Sequence, residues 1–300
     1  MHGVLVVDKP RGLTSHDVVA AARRLLRESR IGHTGTLDPL ATGVLPLAVG
    51  RATRLVRFLS SSDKDYDAII RFGVTTDTYD VTGTETSRTD RAPDRDAVMR
   101  ALDALRGDYR QTPPAYSAKK VQGQRAYDLA RAQRTVTLAS VPVRVARAEL
   151  LDFSGLTARV TLTCSAGFYV RSFAAALGEL TGTGAALEAL RRTRSGQFSS
   201  QDAVGLDAVD QGRGASAMLP MEALLPDFPA VTLTAPGRER AGHGRELGPQ
   251  DFTPASGAPP GAESHAFAEW TRLLDSDGAL VGVATGGTRP GSLHPAVVLI

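Results

Sequence analysis

The chain has 300 residues, is 42% hydrophobic and 22% charged, and carries a formal net charge of +3. This is an ordinary globular composition with room for a sizeable core and two domains, and no apolar run reaches the ~18 residues of a membrane span. The lone cysteine, Cys164, excludes an intramolecular disulfide and a cysteine-built zinc site, so the simplest compartment is the cytoplasm.

The charge is unevenly spread. Residues 1–200 carry 29 Lys+Arg against 20 Asp+Glu, net +9, and residues 201–300 carry 6 against 12, net −6. The basic part suits a polyanionic partner, although a basic solvated face gives the same count.

Residues 4–7 read as a first strand. Their apolar run is too short for a signal peptide and lacks a basic start. After a turn at 8–12, Thr14 or Ser15 caps a helix to about residue 27. Val18, Val19, Ala22, Leu25 and Leu26 line one face, and Arg23, Arg24 and Arg27 the other. Residues 32–50 form the most informative stretch. A loop punctuated by Gly32, Gly35 and Gly43 holds one carboxylate, Asp38, and the apolar run 44–49 reads as a buried strand despite Pro46. Pro39 biases Asp38 to an extended backbone. Such an Asp-Pro is ordinarily a turn, and only residues elsewhere in the chain can make it more.

Residues 52–59 predict a helix with Arg51, Arg54 and Arg57 on one face. A strand is expected over 68–74, with Tyr66 at its mouth and its hydroxyl in water. Residues 75–83, with Asp77 and Asp80, read as an acidic turn. A helix is expected over 94–105, capped by Asp94 and burying Val98, Ala101, Leu102 and Leu105.

The irregular loop 111–117 leads to Lys119, Lys120, Arg125, Arg131 and Arg134, interleaved with Tyr116 and Tyr127 and including a helix over 126–133. Residues 111–150 carry seven basic and two acidic residues, net +5, a pattern suited to a phosphate backbone and unstacked bases. Strands are predicted over 141–151 and 157–164. Gly167-Phe168-Tyr169-Val170-Arg171 opens a helix to about 182, and an arginine at that end opposes the helix dipole and needs a partner. Residues 187–194 read as a second basic patch. Beyond residue 226 come strands at 231–233, 280–284 and 296–300, with a Pro/Gly-rich mobile loop over 248–261, together a small β-rich domain. No phosphate loop, nucleophile elbow or metal-spaced histidine pair occurs, so neither cofactor nor metal is expected.

Taken in order, these residues resemble the TruB-type tRNA pseudouridine synthases, which isomerise uridine 55 in the T loop. The run Gly32-His33-Thr34-Gly35-Thr36-Leu37-Asp38-Pro39-Leu40-Ala41-Thr42-Gly43 matches the family's catalytic loop. Asp8-Lys9-Pro10, Lys64-Asp65-Tyr66, Tyr116-Ser117-Ala118-Lys119, Gly167-Phe168-Tyr169-Val170-Arg171 and Leu190-Arg191-Arg192 match further motifs. The resemblance implies an α+β fold: a mixed, mainly antiparallel sheet flanked by helices over residues 1–225, then a PUA-like β-rich domain over 226–300. It implies an RNA-gripping thumb at about 116–143. It makes Asp38 the catalytic aspartate, Arg171 its partner and Tyr66 the residue stacked on the target base. His33, Tyr169, Leu190, Lys9 and Lys119 become substrate contacts. The implied partner is the tRNA T stem-loop, with no membrane, no obligate protein partner, and action as a monomer. Ala166 and Phe168 depart from the family's common lysine and threonine.

Chemistry agrees with this expectation. The isomerisation exchanges a C–N glycosidic bond for a C–C bond with no net change of atoms, so it calls for no cofactor. A carboxylate serves by covalent attack or by assisting elimination, and a flipped base needs an aromatic platform. Two rivals differ in class. A tRNA-folding or RNA-binding module has no use for Asp38 beside RNA. A glycoside hydrolase needs a second carboxylate, and none stands out near Asp38 in the sequence.

Overall fold

A computed structural model describes residues 1–116, 120–121, 124–125, 138–254 and 269–300. Its first elements follow from local rules. Strand β1 (Gly3–Lys9) is buried along almost its whole length, as a strand covered on both faces is. Thr14 then begins α1 (Ser15–Leu26) with a capping box: its hydroxyl accepts from Asp17 N–H, and the Asp17 carboxylate accepts from Thr14 N–H at 2.8 Å. After β2 (Ile31–His33) comes the Asp38 loop, then β3 (Thr42–Val49). Residues 52–59 differ from expectation. A 3-10 turn, Gly50–Leu55, precedes the short helix α2 (Val56–Ser60).

Next are β4 (Lys64–Phe72), a small β5–β6 hairpin (Val74–Thr76 and Glu85–Arg88), α3 (Arg95–Ala104) and β7 (Gly107–Gln111). Strand β4 starts four residues earlier than expected, which moves Tyr66 from the strand mouth into its buried interior, 8% exposed. The two-residue strands β8 (Lys120–Val121) and β9 (Gln124–Arg125) pair antiparallel. The expected helix over 126–133 lies outside the described residues, as do 117–119, 122–123 and 134–137 of the thumb, while 141–143 begin the next strand. Strands β10 (Val141–Ser154) and β11 (Thr157–Cys164) precede α4 (Val170–Thr181) and β12 (Ala185–Ser195), with β13 (Phe198–Ser199) and β14 (Met218–Leu219) after them.

Among the described residues ten strands form one sheet, ordered β14-β1-β3-β12-β4-β11-β10-β7, with β2 on β3 and β13 on β12. Only the β3–β12 pair is parallel, so the sheet is mixed and mainly antiparallel. One face buries Leu5 and Val7 with Val18 of α1, Val98 and Leu102 of α3, and Phe173 and Leu177 of α4. The opposite face buries Val4, Val6, Val44 and Ala48 against Phe58 and, from the C-terminal part, Leu280, Val283 and Leu299.

That C-terminal part is a separate five-stranded sheet. Its strands are β15 (Ala230–Leu233), β16 (Phe252–Pro254), β17 (Thr271–Leu274), β18 (Leu280–Gly286) and β19 (Leu293–Val298), in the order β16-β15-β17-β18-β19. A helix, α5 (Ala235–Gly242), packs on it. Strand β17 was not legible in the sequence, and the last strand begins at Leu293 rather than at 296. Part of the expected mobile loop over 248–261 is instead ordered, as a 3-10 turn, Pro249–Asp251, followed by β16, and residues 255–261 lie outside the described residues.

Candidate active site on the Asp38 loop

The Asp38 loop is fastened from several sides by backbone-directed hydrogen bonds. The Ser15 hydroxyl accepts from Leu37 N–H at 2.8 Å and donates to Leu37 C=O at 3.1 Å. Gly12 N–H donates to Pro39 C=O at 2.8 Å, and Lys9 Nζ donates to Ala41 C=O at 2.6 Å. Arg192 donates from Nε to Val44 C=O at 2.7 Å and from a terminal nitrogen to Gly35 C=O at 3.1 Å. The segment from Lys9 to Ser15 is thus a clamp for the loop, and buried carbonyls that would otherwise go unpaired are satisfied. Gly43 has φ +98, and a Cβ there would lie 2.2 Å from Arg192 O, so only glycine lets β12 approach.

Arg171 provides the partner that its unfavourable helix-end position demanded. It forks onto Asp38, Nε to Oδ2 at 2.7 Å and a terminal nitrogen to Oδ1 at 3.1 Å. Its other donors reach Thr78 C=O at 3.1 Å and Tyr116 C=O at 2.9 Å. The Arg171 side chain is 6% exposed and that of Asp38 is 36% exposed, so the carboxylate is anchored on one side and open on the other. A second carboxylate, Asp80, lies 3.8 Å from Arg171 Nε. Sequence reading placed it only in an acidic turn. It is buried and accepts from the hydroxyls of Thr78 and Thr82 and from Thr82 N–H. That network uses Asp80 to brace Arg171, which leaves it unavailable to activate a water as a hydrolase's second acid would.

Tyr66 lies directly across from Arg192 on β12. Burial pushes its phenol up from the ordinary value, and the Asp38 carboxylate adds to the shift, so the hydroxyl stays protonated at neutral pH. Lys9 and Lys64 are both buried, and desolvation brings each down to about 8, with Arg192 repelling both. His33 is held below its usual value by burial first, then by His16 and Arg192. Its ring sits edge-on to His16, centroids 5.8 Å apart. His33 Nδ1 and Thr34 Oγ1 are buried with no hydrogen-bond partner among the described residues.

A model described as the N-terminal domain of TruB family pseudouridylate synthase matches residues 23–170, and one described as the tRNA pseudouridylate synthase B C-terminal domain matches residues 171–226. The tRNA pseudouridine synthase B of Solibacter usitatus (strain Ellin6076) is 39% identical over 304 residues, covering 100% of both chains. The chain belongs to the TruB family of pseudouridylate synthases. A relative of the same name from Mycobacterium sp. (strain KMS) is 43% identical over 267 residues, 87% of this chain and 90% of its own. Among solved structures, a Cbf5–Nop10–Gar1 complex matches with TM-score 0.75 at 25% identity, over 99% of this chain and 85% of that one. An H/ACA RNP bound to a substrate RNA containing 2'-deoxyuridine shares the fold, with TM-score 0.74 at 24% identity and the same coverage. The two matched TruB segments meet at residue 171, inside α4, whereas the first sheet gives way to the second only between β14 and β15.

Within this TruB-family fold, the residues singled out in the sequence separate into groups. Asp38, Tyr66 and Arg171 converge, with Leu190 on β12 buried nearby and its carbonyl accepting from the Thr42 hydroxyl at 3.4 Å. Tyr169 caps α4 and is pinned by Gln111, which accepts from its N–H at 2.8 Å and donates to its C=O at 3.1 Å. Lys9 has no exposed surface, so in this conformation it serves the loop and does not reach out to a ligand. Lys119 lies outside the described residues. Residues 187–194 are not a free basic patch. They are a central strand in which Arg191 and Arg194 fork onto Asp8 and Asp65, while Arg192 turns inward and is buried. Phe168, the departure from the family's threonine, packs on the core beside Phe173, ring centroids 5.9 Å apart. Asp80 and Arg192 are the two site residues that the sequence did not single out by role.

Proposed function

We propose that this protein isomerises the T-loop uridine at position 55 of tRNA to pseudouridine, with Asp38 as the catalytic carboxylate. The observation that carries the reading is the Asp38–Arg171 fork: a carboxylate fixed in direction, one face open, on a loop tied down along its length. The reaction breaks the C1'–N1 bond, turns the base and forms C1'–C5; the C5 hydrogen leaves as a proton and N1 gains one. Asp38 acts on the ribose or the base by attack, or by assisting elimination, and Arg171 fixes its direction. Tyr66 supplies the face on which the flipped base stacks, returning about 1–3 kcal/mol of the cost of unstacking. His33, half-buried beside the loop, is a contact for the RNA. Tyr169 and Leu190 line the pocket, and the basic segment about 116–143 grips the RNA backbone. Residues 1–225 form the catalytic domain and 226–300 a PUA-like domain, and the protein works as a cytoplasmic monomer without a cofactor.

The test is tritium release from 5-labelled uridine in a T stem-loop RNA. Asp38→Asn lowers the single-turnover rate by at least about 10³-fold while RNA affinity is retained. Wild-type protein that binds this RNA but leaves it unmodified supports a non-catalytic RNA-binding module instead, and appearance of free base supports a hydrolase.

A further inference from the structure

Arg192 is the largest fully buried side chain of the described residues, 1% exposed, and no carboxylate there lies within ion-pair distance of it. A guanidinium taken out of water and met only by neutral acceptors is costly, and an apolar side chain of similar volume fills such a space at less cost. Two more buried cations, Lys9 and Lys64, share the same interior and make the placement costlier still. Its value must therefore lie in where its donors point. On one side, β12 sets Arg192 opposite Gly43 of β3; on the other, opposite Tyr66 of β4, on the same face of the sheet. Two donors hold Gly35 and Val44, which bracket Asp38. The guanidinium also faces the Tyr66 phenol across the β12–β4 pair, where its charge opposes the upward push of burial.

We propose that Arg192 is a positioning residue for the isomerisation, holding both ends of the loop that carries Asp38 while setting a fixed cation opposite Tyr66. Negative charge developing on the phenol oxygen in a proton transfer meets a fixed cation. The inference rests on the reading of Asp38 as the catalyst and adds a fixed relation between that acid and the phenol.

The experiment measures single-turnover tritium release, RNA affinity and unfolding midpoint for Arg192→Lys, Tyr66→Phe and the double variant, with Arg194→Lys as a control two positions along the strand. An ammonium cannot fork onto two carbonyls and face the phenol together. Arg192→Lys is expected to slow the chemical step about 10–100-fold with RNA affinity changed less than about 3-fold. In the Tyr66→Phe background it should add less than about a third of that factor, a non-additivity that a merely structural role does not produce. Full multiplication of the two effects, or a rate loss matched by an equal loss of RNA affinity, overturns the proposal. Should Arg192→Lys fail to fold, the guanidinium NMR resonances of Arg192 in wild type and Tyr66→Phe decide it: a changed terminal-nitrogen resonance supports the proposal, and an unchanged one overturns it. Asp38→Asn in the same assay separates the two levels. Full activity there refutes the site reading, whereas a dead Asp38→Asn beside independent Arg192 and Tyr66 effects refutes only this inference.

Discussion

At the scale of the residue, the site depends on one arginine serving two acids. Arg171 faces Asp38 and the buried Asp80, so Arg171→Met strands both. The loss in stability should fall toward the lower end of about 3–5 kcal/mol, because Asp38 is partly exposed and screened by water; urea denaturation checks it. Arg171→Lys keeps the charge but loses the fork, and should slow single-turnover isomerisation about 10²-fold with the fold intact. The buried lysines make a different prediction. Burial brings Lys9 and Lys64 from 10.5 to about 8, so the folded chain releases these protons before the unfolded chain does. Between about pH 8 and 10.5 the unfolded state holds more protons, and these two groups raise stability as pH rises. Cys164, pushed by burial from 9.0 to about 12, acts in the opposite sense above pH 9. Lys64→Met should therefore flatten the rise of the denaturation midpoint between pH 8 and 9. Asp38 and Arg171 are legible as a pair in the sequence, because a cation at a helix start demands an anion and the family's motifs supply one on the loop. Asp80 is not: its burial comes from a turn whose threonines fold back on it, and nothing in a run of Asp, Thr and Tyr announces that.

At the scale of the element, the close approach of β3 and β12 governs the loop. Gly43→Ala must move the Arg192 backbone and adopt a strained φ. It should cost at least about 2 kcal/mol and lower activity through the loop, with calorimetry and tritium release as the two readouts. Strand β12 is also where sequence pattern misled. Leu190-Arg191-Arg192-Thr193-Arg194 looks like a solvated basic run, yet each arginine is spoken for by a different neighbour: Asp8, the Asp38 loop and Asp65. Periodicity of two is visible only once partners are known, since arginine satisfies an inward and an outward position alike. Strand β4 was shortened for a similar reason. Lys64 and Tyr66 point inward, but polar residues at a strand start read as turn. By contrast β1, β3 and β11 carry uniform or alternating apolar signals and matched expectation closely.

At the scale of the whole molecule, Arg54 and Arg57 join the two sheets. Arg54 donates to Val298 C=O, and Arg57 lies over the rings of Phe58 and Trp270, 4.5 and 4.9 Å from their centroids. Arg57→Ala should weaken this docking by about 0.5–2 kcal/mol. Because Trp270 is the sole tryptophan, its emission should shift to the red while isomerisation of a minimal stem-loop stays within about 2-fold. The existence of a β-rich C-terminal part was readable from composition, but its attachment was not, since the basic face looked equally fit for RNA. The insertion of β12 between β3 and β4 has a consequence for biogenesis. Ser195 lies 123 positions beyond Phe72, which at about 5–20 residues per second is about 6–25 s of synthesis. Throughout that interval the emerging chain carries two unpaired sheet edges, and nascent chains halted before residue 185 should be the most aggregation-prone lengths of this protein.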